Sequence, residues 1–304
     1  MFFIRAGFLL ARQIGQYRKG CMFLRMVVKR ILLVFLVLFL LVLGVCVYLM
    51  LRANGAVPVL NYHQINDQAE NALTVHPKQF DRQMKYLAEN GYHAITPKEL
   101  LDAWQGGAPL PEKPVVITLD DGYADNYENA FPILQKYNLK ATIFLVPNFL
   151  STYPNYMTWE QVKEMNGSDL IDFESHTMNH VELNKIRPDE RWKELKDSKT
   201  ILEQRLGKSI DFIAYPCGSF DEALEQMTKE AGYRAAFTVH LGLANKAENP
   251  YILDRIPIFG SNTHTFLRFK TRLIFTPIVA PLDHFYRALI ANGHNILARL
   301  VPLP

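Results

Sequence analysis

The chain has 304 residues, of which 49% are hydrophobic and 21% charged, a composition typical of folded proteins and not of disordered ones. Its net charge of +3 is unevenly distributed, because eight basic residues and no acidic residue precede Asp67. Removing those eight charges from +3 leaves −5 for the rest of the chain. The basic character is therefore local, and no nucleic acid partner is expected.

The first predicted element is a membrane span. A basic segment, residues 1–30, precedes an apolar run from Ile31 to Leu51. As a helix this run would be ~31 Å long, close to the ~30 Å of a bilayer core. Because positive charge stays on the cytoplasmic side, we predict a single-pass anchor at 31–51 in the cell membrane, with everything after Arg52 outside the cytoplasm. A cleaved signal peptide is the alternative, but its apolar core is normally ~7–15 residues long.

Residues 52–264 alternate between β-rich runs and helical stretches. Eight strands are expected, at Val57–Tyr62, His93–Ile95, Val115–Leu119, Ala141–Val146, Leu170–Phe173, Ile210–Ala214, Ala235–Val239 and Arg255–Ile258. Helices are expected in most of the gaps, at Pro77–Asn90, Pro97–Trp104, Tyr127–Tyr137, Thr158–Met165, Pro188–Leu206 and Asp221–Ala231. This alternation favours a parallel sheet, and the length suits a single barrel, so we predict an α/β fold with a (β/α) barrel.

The C-terminal segment, residues 265–304, differs from the barrel. It is apolar and basic, with Arg268, Lys270, Arg272, Arg287 and Arg299 against Asp283 alone. Such a segment could lie against a membrane surface or pack as a helix on the barrel. Pro277 and Pro281 interrupt the helical pattern, so both interpretations stay open.

Two motifs with metal-binding chemistry follow predicted strands. Asp120 and Asp121 come directly after the apolar run that ends at Leu119. Adjacent carboxylates repel each other, and a bound cation would relieve this repulsion, although an Asp-Gly turn is the alternative. His176 and His180 are four residues apart and would face one ion from the same side of a helical turn. One carboxylate and two histidines with open positions are typical of a catalytic metal site.

Two weaker motifs follow other strands. The segment Tyr215-Pro216-Cys217-Gly218 predicts a turn whose amides could stabilise an oxyanion, or an ordinary loop. His63 ends the first strand and could be a general acid or a structural histidine. The three cysteines predict no disulfide framework, and each is expected to be a small buried residue. Because all four motifs follow strands, a barrel would bring them together on its C-terminal face.

The residues from Val57 to Ile258 resemble the polysaccharide deacetylases, the NodB-homology or carbohydrate esterase family 4 enzymes. The resemblance rests on Asp120-Asp121-Gly122 followed by the H-[S/T]-x-x-H motif at His176–His180. It implies a distorted (β/α) barrel and a divalent metal, zinc first, with cobalt or nickel also compatible. The implied site residues are Asp120 as the general base that activates the attacking water, Asp121, His176 and His180 as metal ligands, and Tyr215, Pro216 and Cys217 in the substrate-binding loop, with the Cys217 N–H binding the oxyanion.

The opening VPVLNYH is similar to the branch that acts on poly-N-acetylglucosamine in biofilms, which implies that His63 lies near the active site. The chain departs from the family at Ala214, where the third motif usually has an arginine that orients the base. Arg255 is our candidate for that task. The family's late catalytic histidine has no clean match. His240 and His264 are candidates, and His63 is the preferred replacement.

The predicted function is therefore that of a membrane-anchored, metal-dependent hydrolase. Its expected substrate is an extracellular or cell-wall polysaccharide with N-acetylated amino sugars, similar to poly-N-acetylglucosamine. Two alternatives remain at this point. One is deacetylation of peptidoglycan by the same metal site. The other is a non-catalytic glycan-binding protein on the same fold, since a fold does not determine function.

Overall fold

The computed structural model describes residues 2–53, 55–68, 71–260, 265–298 and 301. The chain forms two compact units, Met1–Arg52 and Ala53–Pro304. The first is a single helix, α1, which runs over Phe2–Arg52. Its part Val28–Arg52 is long and apolar enough to cross a bilayer, as a retained anchor or a signal sequence would be. The helix thus begins well before the predicted span.

The second unit is a barrel of parallel strands. They are β1 (Val59–Tyr62), β2 (His93–Ala94), β3 (Pro114–Asp121), β4 (Ala141–Leu145), β5 (Ile171–Ser175), β6 (Phe212–Ala214), β7 (Ala235–Leu241) and β8 (Leu253–Pro257). Because β1 pairs with both β8 and β3, seven strands close into a ring in the order β1-β8-β7-β6-β5-β4-β3. β2 pairs with the first two residues of β3 and takes no place in the ring. The predicted distorted (β/α) barrel is confirmed.

Helices cover the outside of the barrel. They are α2 (Pro77–Glu89), α3 (Pro97–Trp104), α4 (Phe131–Tyr137), α5 (Trp159–Asn166), α6 (Pro188–Leu206), α7 (Glu222–Glu230), α8 (Phe266–Ala291) and α9 (Asn295–Ala298). Local sequence sets several of their starts. In α3 and α5, Thr96 and Thr158 each cap the helix in a reciprocal bond with the residue three positions on. α2 buries one apolar face, which contains Phe80, Met84 and Leu87.

Two predicted details near the motifs are wrong. β3 runs through Asp121, so the two aspartates are its last residues and do not follow a strand that ends at Leu119. The reason is that β4 pairs with β3 as far as Asp121, which keeps this end of the strand ordered and buried. The segment His176–His180 forms a loop and not a helical turn, because Thr177 and His180 have φ angles of 65° and 56°, in the left-handed region.

The C-terminal segment packs on the barrel as a helix. α8 is continuous through Pro277 and Pro281, so the expected interruption is wrong. Its buried residues are Phe269, Leu273, Thr276, Ala280 and Asp283, and it contacts α2, β7 and β8. This packing outweighs the lost backbone hydrogen bonds, which make an interior proline cost ~3 kcal/mol.

Candidate active site

A pocket of ≈ 490 Å³ lies at the C-terminal ends of the strands. Residues from β1, β3 and the loops after β5 and β6 line one part of it, and α8 supplies another part. Of the predicted site residues, the pocket contains His63, Asp120, Asp121, His176, His180 and Cys217. The structure thus brings together side chains that are far apart in the sequence.

Three of these side chains offer atoms for one ion. A carboxylate oxygen of Asp121 and a ring nitrogen of each of His176 and His180 all lie within 4.8 Å of one another. Oδ1 of Asp121 is 3.3 Å from Nε2 of His176 and 3.2 Å from Nε2 of His180. Two imidazoles and a carboxylate form a donor set that suits zinc and related divalent metals.

The hydrogen bonds behind these atoms show that a cation fits between them. Nδ1 of His176 lies 2.7 Å from the carbonyl oxygen of Ala214. Since a carbonyl can only accept, Nδ1 carries the proton, and in a neutral ring Nε2 presents its lone pair to Asp121. Within the described residues, the buried Oδ1 of Asp121 has no hydrogen-bond partner. Lone pairs that face one another in a buried site are unfavourable unless a positive charge lies between them.

The electrostatics of the site also favour a positive charge. Burial by itself would lower the pKa of His176, but the Asp120 and Asp121 carboxylates raise it above its ordinary value. Burial would raise the pKa of Asp121, yet the surrounding histidines, His176 first, lower it. The pKa shifts of His176 and Asp121 show that positive charge is stabilised beside this carboxylate. The pKa of His180, by contrast, is lowered by burial and by His176, so this ring is neutral at pH 7 and offers a lone pair.

Asp120 is held in place on both of its oxygens. Arg255 donates from Nη1 to Oδ1 at 2.8 Å and from Nη2 to Oδ2 at 2.7 Å. Asn61 donates to Oδ2 at 2.9 Å. The guanidinium of Arg255 is itself fixed, since it also donates to the Thr238 carbonyl at 2.7 Å and to Thr118 Oγ1 at 3.1 Å. This buried bidentate pair sets the orientation of the carboxylate.

Asp120 and His63 differ in how strongly each holds a proton. Burial alone would raise the pKa of Asp120, but Arg255 and His176 outweigh it and hold that pKa far below its usual range. Burial lowers the pKa of His63 below its ordinary value, although Asp120 opposes this. Nε2 of His63 lies 3.9 Å from Oδ2 of Asp120. At neutral pH Asp120 is therefore an anion and His63 a neutral ring, and of the two His63 holds a proton more strongly.

Backbone strain is concentrated at this site. Asp121, Thr177, His180 and Cys217 all have φ between 56° and 77°, in the left-handed region that non-glycine residues seldom adopt. Such conformations persist only where the surrounding structure enforces them, and they cluster at functional sites. Gly122 is also left-handed, and a Cβ there would lie 2.8 Å from a leucine side chain, so glycine is favoured beside Asp121.

The predicted oxyanion loop is only partly in the pocket. Cys217 lines the pocket and is exposed, so the expectation that it is a buried residue is wrong. Its left-handed backbone turns the chain outward between two buried neighbours. Tyr215 is fully buried and donates its hydroxyl to Thr228 at 3.1 Å, which directs the phenol into the core. Pro216 is also buried and is not among the residues that line the pocket.

The candidates for the late histidine lie in different places. His240 lines a second pocket, of ≈ 310 Å³, and not the one that contains Asp120. His264 is outside the described residues. Asn61 was assigned no role from the sequence, although the two-residue period of a strand places it on the same face as His63. That period is the signal that could have identified it.

α8 forms a wall of the pocket that local sequence patterns did not indicate. Arg272, Asp283 and Arg287 of this helix line the pocket. Arg287 donates to Asp283 at 2.7 Å, and Arg272 donates to the carbonyl of Pro257 at the end of β8. The C-terminal segment therefore contributes charged groups to the same pocket as Asp121, His176 and His180.

Comparisons with known proteins agree with this geometry. Residues 107–236 match the polysaccharide deacetylase family. YxkH of Bacillus subtilis (strain 168), named as a candidate polysaccharide deacetylase, is 38% identical over 201 residues, which cover 66% of this chain and 71% of that protein. The poly-beta-1,6-N-acetyl-D-glucosamine N-deacetylase of Staphylococcus aureus (strain MRSA252) is 28% identical over 233 residues, or 68% of this chain and 80% of that protein.

A solved structure supports the same assignment. The Streptococcus pyogenes deacetylase PplD, in complex with acetate, is similar with a TM-score of 0.64 and 32% sequence identity. The similarity covers 67% of this chain and 92% of that one. On fold, sequence and the arrangement of its site, this chain belongs to the polysaccharide deacetylase family.

Proposed function

We propose that this protein is a membrane-anchored, metal-dependent hydrolase that removes N-acetyl groups from the amino sugars of an extracytoplasmic polysaccharide of the poly-N-acetylglucosamine type. One observation carries the proposal: three convergent metal-binding atoms lie beside a carboxylate that Arg255 holds on both oxygens. A glycan-binding protein has no need of this arrangement. The relative from Staphylococcus aureus, named for poly-beta-1,6-N-acetyl-D-glucosamine, supports the substrate class.

The metal site would be formed by Asp121, His176 and His180. A divalent ion there, Zn²⁺ in our proposal with Co²⁺ or Ni²⁺ as alternatives, would polarise the acetamide carbonyl and lower the pKa of the attacking water. The backbone N–H of Cys217 would donate to the oxyanion that develops on the carbonyl oxygen. The position of Cys217 in the pocket lining supports this assignment.

The chain's own residues would then move one proton. Asp120, oriented by Arg255 and Asn61, accepts a hydrogen bond from the water and draws its proton. Because the pKa of Asp120 is far below that of His63, the proton comes to rest on His63, 3.9 Å away. His63 donates it to the nitrogen as the C–N bond breaks. The water oxygen ends in acetic acid, whose remaining proton passes to the free amine of the sugar or to solvent.

The location follows from α1 and the charges around it. We assign residues 1–30 to the cytoplasm, 31–51 to the membrane span, 52–264 to the extracytoplasmic catalytic barrel and 265–304 to a C-terminal extension. The excess of positive charge before the span supports this orientation. A barrel outside the cell would meet its polymer directly, without transport of the substrate.

The test uses the full chain, purified in detergent. Acetate release is measured on poly-N-acetylglucosamine oligomers and on peptidoglycan, before and after chelation and after reloading with zinc or cobalt. Asp120→Asn should keep metal binding and lose activity, whereas His176→Ala should lose both. His93→Ala is the matched control, because that exposed histidine lies on β2 and bonds to a backbone carbonyl.

Each outcome decides one part of the proposal. Metal-dependent release from the glucosamine oligomers establishes the reaction and the substrate class. Release from peptidoglycan alone would move the substrate to the cell wall. Folded, metal-loaded protein that releases acetate from neither polymer would contradict the proposed reaction and favour the glycan-binding alternative.

A further inference from the structure

α8 has two apolar faces, and only one of them is covered in the described structure. The buried residues Phe269, Leu273 and Ala280 face the barrel. On the other side Leu267, Ile274, Phe275, Leu282 and Phe285 are 65%, 43%, 46%, 41% and 56% exposed. At 100° per residue these five side chains span an arc of roughly 100°, centred almost opposite the buried face. An exposed stripe of this kind on a helix marks a binding surface.

We propose that this outward face of α8 lies in the head-group region of a lipid bilayer that contains anionic lipids. Its partner is thus a membrane surface, contacted in addition to any span formed by α1. The proposal does not depend on the deacetylase reaction, since it concerns the side of the helix that faces away from the pocket.

The helix would lie along the membrane and not cross it. Its inner face is packed against α2, β7 and β8, which cannot enter a bilayer core. It also carries Arg272, bonded to the Pro257 carbonyl, and the Asp283–Arg287 pair. Charged groups at the centre of a bilayer are unfavourable, whereas an amphipathic helix at the interface keeps them near water.

Charge complementarity selects a lipid surface as the partner. By the same helical geometry Arg268 and Lys270 lie on the two sides of the exposed apolar stripe, near its N-terminal end. Lys270 lies over the rings of Phe266 and Tyr86, at 5.5 and 5.8 Å, which holds this cation beside the stripe. Basic residues that flank an apolar face are the pattern of interfacial helices that bind anionic lipids.

The short linker between α1 and the barrel unit is a second reason to expect contact with a membrane. In sequence, four residues, 53–56, separate the end of α1 from Val57, which bridges to Ala244 in the barrel unit. Fully extended, four residues reach at most ~14 Å. If α1 spans a bilayer, this short linker tethers the barrel unit to the same membrane.

Brominated lipids test the contact in the intact protein. The full-length protein is reconstituted in nanodiscs, one molecule per disc. The discs are made of anionic or zwitterionic lipid, and each lipid is used with and without bromine on its acyl chains. Phe285→Trp places a fluorophore on the stripe. Glu160→Trp is the matched control, on α5, which packs beside β5 on another part of the barrel. Signals are compared with the unsubstituted chain, which has three tryptophans.

We expect the Phe285→Trp fluorescence to be lost in brominated anionic discs, and the Glu160→Trp fluorescence to be retained. The loss should diminish in zwitterionic discs, and also when Arg268→Gln and Lys270→Gln are introduced together. Equal quenching of the two tryptophans would overturn the proposal. A second result would also overturn it. If brominated lipid does not quench the Phe285→Trp signal, but high protein concentration shields that signal from an aqueous quencher, a second copy of the chain covers the stripe.

Discussion

Replacing Arg255 with alanine would leave Asp120 as a buried charge without its main partner. The side chains of Arg255 and Asp120 are 0% and 1% exposed, and two charge-assisted hydrogen bonds of 2.7–2.8 Å join them. Removal of one member of such a pair typically costs ~3–5 kcal/mol of unfolding free energy. We expect Arg255→Ala to lose that amount at neutral pH, because among the described residues Asn61 is then the one remaining side chain that donates a hydrogen bond to this carboxylate.

The loss should depend on pH, with a sign that follows from Asp120. In the parent protein the folded pKa of Asp120 is lowered, so its contribution to stability is present above the unfolded pKa of ~3.9 and is lost as pH falls below it. Without Arg255, burial would raise that pKa above the unfolded value. The variant would then lose stability as pH rises through the raised pKa. The difference between the two proteins should therefore widen from about pH 4 to about pH 7.

Chemical denaturation at several pH values measures this difference. Arg255→Lys is the matched variant, because it keeps the charge but cannot form the bidentate pair. Both variants should bind metal as the parent does, since Arg255 contacts none of the three ligands in the described structure, and both should lose about 10–100-fold in rate. A stability loss that is the same at every pH, or an unchanged rate in Arg255→Ala, would refute the assigned role of this pair.

Further predictions concern single side chains around the pocket. His63→Gln should lower the rate by about 10²–10⁴-fold without weakening metal binding. In the parent protein, kcat/KM should fall as pH drops through the lowered pKa of His63, because only the neutral ring can accept the proton. The His63→Gln variant should lack this part of the decrease at acidic pH. Gly122→Ala should lower the unfolding free energy by about 1–3 kcal/mol in chemical denaturation, since its φ is +77° and the new Cβ would clash with a leucine. Arg272→Gln should raise KM roughly tenfold for oligomers, with a smaller effect on kcat, because the guanidinium lines the pocket. Arg268→Gln, whose side chain is not part of that pocket lining, is its control, and an equal rise in KM there would contradict the assignment.

The positions of the strands could be predicted because buried strands have continuous apolar runs in the sequence. The run Val115–Leu119 is apolar throughout, as expected of a strand that is covered on both sides, and all of its residues are buried in β3. Parallel strands joined by helices place their C-terminal ends on one face. That rule is sufficient to bring Asp121, His176 and His180 together without any knowledge of the loops.

The geometry within the site could not be predicted in the same way. Two histidines four residues apart suggest a helical turn, whereas the structure brings their rings together with left-handed residues at Thr177 and His180. No glycine or asparagine marks either position, so the sequence carries no sign of the turn. α8 is a similar case. Its prolines predict an interruption, but packing against the barrel keeps the helix intact and places Arg272 at the pocket.

The pair of Arg255 and Asp120 shows how a site can keep its geometry when a family motif is altered. Ala214 stands where the family pattern has arginine, and it lies in a buried cluster with Phe144 and Phe237. Arg255 is on β8, which β1 separates from β3, and its guanidinium lies 5.7 Å from the centre of the Phe144 ring. A second long cation in that cluster would lack both space and a counter-ion. The requirement is thus one guanidinium on Asp120, and the strand that supplies it can change because every strand of a closed barrel ends at the same face.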